Sequence, residues 1–166
     1  MTIRKSTEKD IYQIMDIFAV ARQYMEKNGN QTQWGNGYPG VDLIRSDIVT
    51  GNSYVIIEEG EVVGTFTFII GEEPTYRIIE NGNWHRNDTY GTIHRVASNG
   101  KKRGIAKMCF EYCSEQIDYL RIDTHKDNLA MQNAITKFGF RECGIIHVKD
   151  GSERIAYDYY KPTATN

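Results

Sequence analysis

The 166-residue chain lacks a membrane span: no apolar run approaches the roughly 20 residues that crossing a bilayer takes. Its opening, MTIRKSTEKD, has no apolar core of a secretory signal. Cysteine is scarce. Cys109, Cys113 and Cys143 make an odd number without metal-site spacing, so reduced thiols in the cytoplasm, and no bound metal, are the expectation. Charge imbalance is missing too, because 20 basic and 22 acidic side chains leave a net charge of −2. That balance, without an extended basic stripe, argues against nucleic acid or an anionic membrane as partner. Two nucleotide-binding signatures do not fit the loop that carries Lys101. A P-loop is excluded because Lys101 and Lys102 follow the first glycine of that loop, not the last, and the same loop has no G-x-G-x-x-G. There is no repeat, linker or low-complexity stretch.

What is present is ordinary for a globular chain: 40% hydrophobic and 25% charged residues, enough for one domain over residues 1–166 with a proper core. Residues 2–5 read as a short strand. Thr7 and Asp10 resemble a capping box ahead of Ile11, Ile14, Met15, Phe18 and Met25, which recur at helical spacing up to about residue 27. Residues 28–40 are a loop rich in glycine and asparagine that carries Trp34 and Tyr38, and a short helix over 41–49 follows. Residues 53–58 and 61–70 form a hairpin through Glu59-Gly60, and 71–88 is long and irregular. After a strand at 90–97, Ile105, Met108, Cys109, Tyr112 and Cys113 mark a helix with one buried stripe, in which both cysteines are core residues. A strand at 120–124 precedes a helix capped by Asn128 and stopped by Gly139. Strands at 140–148 and 153–160 flank the turn Asp150-Gly151. The order βααβββαβαββ predicts an α/β fold with a mixed sheet.

The stretch 90–106, YGTIHRVASNGKKRGIA, is the most informative. It runs from an extended segment through a polar turn (Ser98, Asn99, Gly100) and the cations Lys101, Lys102 and Arg103 into a helix at Gly104. The N–H groups of a first helical turn carry partial positive charge and point outward, so this is a place for a phosphate. The competing reading of the triplet is a solvated surface turn.

With that loop, the second half of the chain resembles the GNAT (Gcn5-related N-acetyltransferase) superfamily. The family's phosphate loop, Gln/Arg-x-x-Gly-x-Gly/Ala, corresponds to Lys101-Lys102-Arg103-Gly104-Ile105-Ala106, and the Asn-capped helix ending in Gly-Phe corresponds to residues 120–140. The resemblance covers about residues 90–147. It implies that acetyl-coenzyme A binds with its pyrophosphate on the backbone N–H groups of Lys101, Lys102, Arg103, Gly104, Ile105 and Ala106. It implies further that Val96, Ala97 and Ser98 pair with the pantetheine arm, and that Asn128 contacts the thiol end or a water there. Two positions depart from the family. Lys101 replaces Gln or Arg but keeps a donor and a cation. Ile135 stands where many members place a tyrosine that protonates the departing thiolate.

Acetyl transfer to an amine needs a neutral nucleophile, a proton acceptor and oxyanion stabilisation. His94 is the first candidate for the acceptor, since imidazole exchanges protons near neutral pH and strand alternation groups it with Thr92 and Val96, away from Arg95. A structural histidine is the alternative. Asp123 and His125 are weaker candidates, Asp123 being read as an ion-pair partner of Arg121 or Arg95. The acceptor pocket, by the same resemblance, is walled by loop residues, of which Trp34, Tyr38, Tyr76 and Trp84 are the substrate-binding candidates; each can equally anchor its loop. The expected function is therefore N-acetylation of a small-molecule or protein amine. The alternative is an acyl-coenzyme A sensor of the same fold without transfer. A homodimer is expected only because the family commonly forms one.

Overall fold

A computed structural model describes residues 1–35 and 37–162. Its elements are β1 (Thr2–Lys5), α1 (Ile11–Lys27), α2 (Val41–Val49), β2 (Ser53–Glu58), β3 (Glu61–Ile70), β4 (Gly91–Ser98), α3 (Ile105–Gln116), β5 (Tyr119–Thr124), α4 (Leu129–Phe138), β6 (Arg141–His147) and β7 (Glu153–Tyr160). This is the predicted order, and the seven strands are hydrogen-bonded as β1-β2-β3-β4-β5-β7-β6, a mixed sheet. No helix of the described residues is long and apolar enough to cross a membrane. The chain divides into two compact units, residues 1–68 with 94–109, and residues 69–93 with 110 onward.

The first unit is built by local signals that the sequence displays. Asp10 accepts from the Thr7 N–H at 2.7 Å and pairs with Arg4 at 2.8 Å, which fixes the entry into α1 through one 3-10 turn. Helix α1 buries Ile11, Ile14, Ile17 and Phe18, whereas the expected Met15 and Met25 only border the core. The β2–β3 turn places Glu59 at φ +51° and Gly60 at φ +78°, the double left-handed geometry whose twist matches a two-residue hairpin. Trp34 closes this core. It is 8% exposed and meets the Phe18 ring edge-on at 5.4 Å between centroids.

In the second unit β5 runs parallel to the start of β4, from Gly91 opposite Leu120 to Ile93 opposite Ile122, and antiparallel to β7. The β6–β7 turn is fixed by Asp150, whose carboxylate accepts from the Ser152 N–H at 2.9 Å and hydroxyl at 2.6 Å. The core gathers Tyr76, Tyr90, Tyr119, Ile146 and Ala156. The irregular segment before β4 is pinned to this unit: Glu80 and Ile145 exchange backbone hydrogen bonds at 2.9 and 2.8 Å. A Cβ on Gly82 would collide with the Cys143 carbonyl, so only glycine lets the loop approach β6 this closely.

Candidate functional site

Within the first unit, β4 departs from a regular pleat at Arg95, whose φ is +53°. A non-glycine residue holds that conformation only where its surroundings impose it. Asp47 of α2 supplies the constraint. Its carboxylate accepts from Arg95 Nε at 3.0 Å and from Nη2 at 2.9 and 2.8 Å, and from the Thr67 hydroxyl at 2.9 Å. Arg95 Nη1 also donates to the Tyr38 hydroxyl at 3.2 Å. The strict alternation expected from 92 to 96 therefore breaks at Arg95, because a left-handed residue turns the strand out of its pleat. Next to it, His94 is half-buried. Burial first, and then the Arg95 charge, lower its pKa to about 3, so the imidazole is neutral at physiological pH.

The polar turn is organised by its own side chains. Ser98 Oγ accepts from the Gly100 N–H at 3.0 Å and Asn99 Oδ1 from the Lys101 N–H at 3.0 Å, while the Asn99 N–H donates to the Val63 carbonyl of β3 at 3.1 Å. Lys101 is thereby engaged twice, since its ammonium pairs with Glu61 at 2.7 Å. Beyond it, among the described residues, no hydrogen bond uses the N–H of Lys102, Arg103, Gly104, Ile105 or Ala106. Gly104, at φ +80°, turns the chain into α3. The result is a helix start with open donors and two exposed cations, Lys102 and Arg103. Behind it, Gly64 of β3 makes room: a Cβ there would lie 2.7 Å from Ile105 Cγ2 and 3.3 Å from the Ala97 carbonyl. Val96 and Ser98 are half-buried and Ala97 is buried.

Within the second unit, Asn128 caps α4 by accepting from the Met131 N–H at 3.1 Å. Its side-chain oxygen is thus committed to the cap. Ile135 is fully buried, with no hydroxyl at that point of the helix. Asp123 pairs with neither Arg121 nor Arg95. It accepts from the Tyr76 hydroxyl at 2.6 Å, because Arg95 is taken by Asp47 in its own unit and Arg121 lies between rings, 4.1 Å from that of Trp84 and 4.0 Å from that of Tyr90. Burial raises the Asp123 carboxyl and, with the Asp123 charge, pushes the Tyr76 phenol well up. The pair is a buried hydrogen bond with its proton on the phenol.

The four substrate-binding candidates separate by burial. Trp34 and Tyr76 are core residues, 8% and 1% exposed, and Trp34 also borders a small pocket with Arg22, Met25, Glu26, Asn30 and Gln31. Trp84 is half-buried with its indole N–H on the Tyr76 carbonyl at 3.0 Å, and Tyr38 is 40% exposed. Loop aromatics carry no sequence mark that distinguishes an anchor from a ligand contact. The Asp47–Arg95 pair escaped the sequence reading because 48 residues separate its members; an arginine in a strand beside a candidate histidine was the only signal.

No protein-family model matches the sequence, and neither does any curated protein. Solved structures do. A GNAT-family acetyltransferase from Streptococcus agalactiae 2603 is 34% identical, with a TM-score of 0.88 over 98% of this chain and 96% of that one. A GNAT-family acetyltransferase from Listeria monocytogenes 4b F2365 shares the fold at 18% identity, with a TM-score of 0.70 over 96% and 94% of the two chains. So does GphF, a GNAT-like decarboxylase in complex with isobutyryl-CoA, at 11% identity and a TM-score of 0.67 over 96% and 99%.

Proposed function

Since the chain belongs to the GNAT acetyltransferase superfamily, we propose that it transfers an acetyl group from acetyl-coenzyme A to a primary amine of a small molecule or protein, by direct attack. The observation that carries the reading is the start of α3, with the N–H groups of residues 102–106 uncommitted, Gly104 left-handed, and Lys102 and Arg103 exposed beside them. These groups suit a pyrophosphate: several aligned N–H donors and the positive helix end bind an anion without a dedicated side chain. Lys101 contributes less, its N–H and ammonium being engaged by Asn99 and Glu61. Val96, Ala97 and Ser98 are the proposed partners of the pantetheine amides, and Asn128, at the start of α4, is the proposed contact of the thiol end.

In the reaction the amine lone pair forms the new C–N bond, the thioester C–S bond breaks, and the ammonium proton is lost. His94 is the proposed proton acceptor. A pKa of about 3 lies well below the operating pH at which a general base is most effective, so in this role His94 would relay the proton to water and not hold it. The thiol of the departing coenzyme, with a pKa of about 8.5, leaves near neutrality without a dedicated acid. Tyr38, the exposed member of the aromatic set, and Trp84 are the proposed acceptor contacts.

The burial of Ile135 at the usual tyrosine position favours one second reading, a protein that binds the coenzyme without transferring its acyl group. Thermal unfolding with and without acetyl-coenzyme A, followed by thiol release with a panel of amines, separates the two. At 100 times its dissociation constant the coenzyme stabilises the fold by about 2.7 kcal/mol. No stabilisation sinks both readings. Stabilisation without amine-dependent thiol release leaves only the second.

A further inference from the structure

The second unit holds a cluster that the proposed acetyl transfer does not use. His85, in the loop before β4, Cys143 on β6 and Asp158 on β7 bring one imidazole nitrogen, one sulfur and one carboxylate oxygen within 4.8 Å of one another. His85 Nδ1 lies 3.4 Å from Cys143 Sγ and 2.6 Å from Asp158 Oδ1. The other carboxylate oxygen is occupied: Oδ2 accepts from the His85 N–H at 2.8 Å and from the Tyr119 hydroxyl at 2.7 Å. Asp158 is therefore fixed from one side with Oδ1 turned toward the imidazole and the thiol. Cys143 and Asp158 are buried, while the His85 side chain remains 36% exposed and opens the cluster to solvent.

We propose that His85, Cys143 and Asp158 form a binding site for one zinc-class divalent cation, completed by water from the exposed His85 side. The donor set decides the class. A thiolate with an imidazole and a single carboxylate suits zinc or cobalt(II), whereas magnesium and calcium take oxygen ligands. The spacing is close to what such an ion requires. Tetrahedral bonds of ordinary length place the nitrogen about 3.5 Å from sulfur and about 3.3 Å from oxygen. The first separation is met, and the second is reached by a movement of about 0.7 Å, small for a loop side chain. On binding, the imidazole carries its proton on Nε2 and leaves Nδ1 to the cation, and the thiol proton is released, so the cation replaces the His85–Asp158 contact by two metal bonds.

The frame around the ligands favours a preformed site over a chance contact. The loop that carries His85 is held on β6 by the Glu80–Ile145 bridge and by the close approach of Gly82 to the Cys143 carbonyl. Tyr119, which orients Asp158, is itself buried, and Arg121 Nε donates to its hydroxyl at 3.2 Å. Support of this kind behind a ligating carboxylate raises metal affinity. A reactive cysteine is the less fitting role. Burial and the neighbouring Asp158 charge hold the thiol far above its ordinary pKa, so without a cation it remains protonated and a poor nucleophile.

The test is titration of the metal-free full chain with cobalt(II), followed by displacement with zinc at micromolar concentration. One equivalent should bind with the near-ultraviolet sulfur-to-cobalt absorption of a thiolate ligand, and zinc should erase it. Cys143→Ser should abolish the absorption, and His85→Ala, at a half-exposed position that tolerates change, should weaken binding at least about tenfold. A Cys109→Ala/Cys113→Ala double variant should bind as the wild type does. No cobalt binding, absorption without a sulfur band, or binding indifferent to both Cys143→Ser and His85→Ala (an adventitious ion only) would overturn the proposal. None of these readouts involves acetyl transfer, so the site and the proposed enzymatic activity stand or fall separately.

Discussion

Asp47 is the residue on which the shape of β4 rests most directly. Its carboxylate neutralises a guanidinium that is itself nearly buried, the two side chains being 8% and 11% exposed. Removing one member of such a pair leaves an uncompensated charge in the interior, which costs about 3–5 kcal/mol. Asp47→Asn preserves the volume, so the charge alone is tested. We expect a loss of roughly 3 kcal/mol in urea unfolding, and a loss below about 1 kcal/mol would mean that Arg95 is hydrated instead of held. At the adjacent position, His94→Gln should lower amine-dependent turnover at least about tenfold while leaving coenzyme affinity nearly unchanged, the usual scale for losing a proton-transfer group. Unchanged turnover with a true acceptor would remove His94 from the mechanism.

At the scale of elements, strand β3 and helix α3 depend on one missing side chain. Gly64 lies under Ile105, and a methyl group there must displace Ile105 Cγ2, which would be 2.7 Å away, or press on Ile56 Cδ1 and the Ala97 carbonyl at 3.3 Å. Overpacking of this kind costs about 1–3 kcal/mol. Because Ile105 is the first residue of α3, the displacement also reaches the proposed phosphate donors. Gly64→Ala should therefore weaken coenzyme binding as well as stability, and calorimetric titration beside a urea curve would show whether the two move together. If stability alone changed, the helix start would have adjusted around the new methyl group without loss of its anion site.

For the molecule as a whole, net charge is −2 and says little, but histidines shielded from water tie folding to pH. His94 falls to about 3 in the folded state, and His125 is also lowered, by burial first and then by the Arg154 charge. Unfolded histidines titrate near 6.5, so below that pH the unfolded chain binds protons that the folded one refuses. Stability is therefore full above the unfolded pKa and declines as pH falls toward 3. One such group contributes up to about 1.4 kcal/mol per pH unit. Between pH 7 and 5, His94→Gln should lose stability less steeply than the wild type; parallel curves would show that the folded protein protonates His94 as readily as the unfolded chain does.

The sequence by itself determined what is local. Thr7 with Asp10, Glu59-Gly60, Asn128, Gly139 and Asp150-Gly151 announced starts, stops and turns because each acts through hydrogen bonds or backbone angles within a few residues. The order of elements and the helix start at Gly104 followed from them, with strand ends shifted by about one residue, as fraying ends are. Only the tertiary structure decided the rest. Whether Trp34 and Tyr76 line a pocket or fill a core depends on what packs over them. The partner of Arg95 lies 48 residues away, and His85 meets Cys143 and Asp158 across 58 and 73 residues. Periodicity and spacing describe neighbours along the chain, while these contacts arise between segments joined only by folding, so cysteines with no metal-site spacing could still supply a ligand.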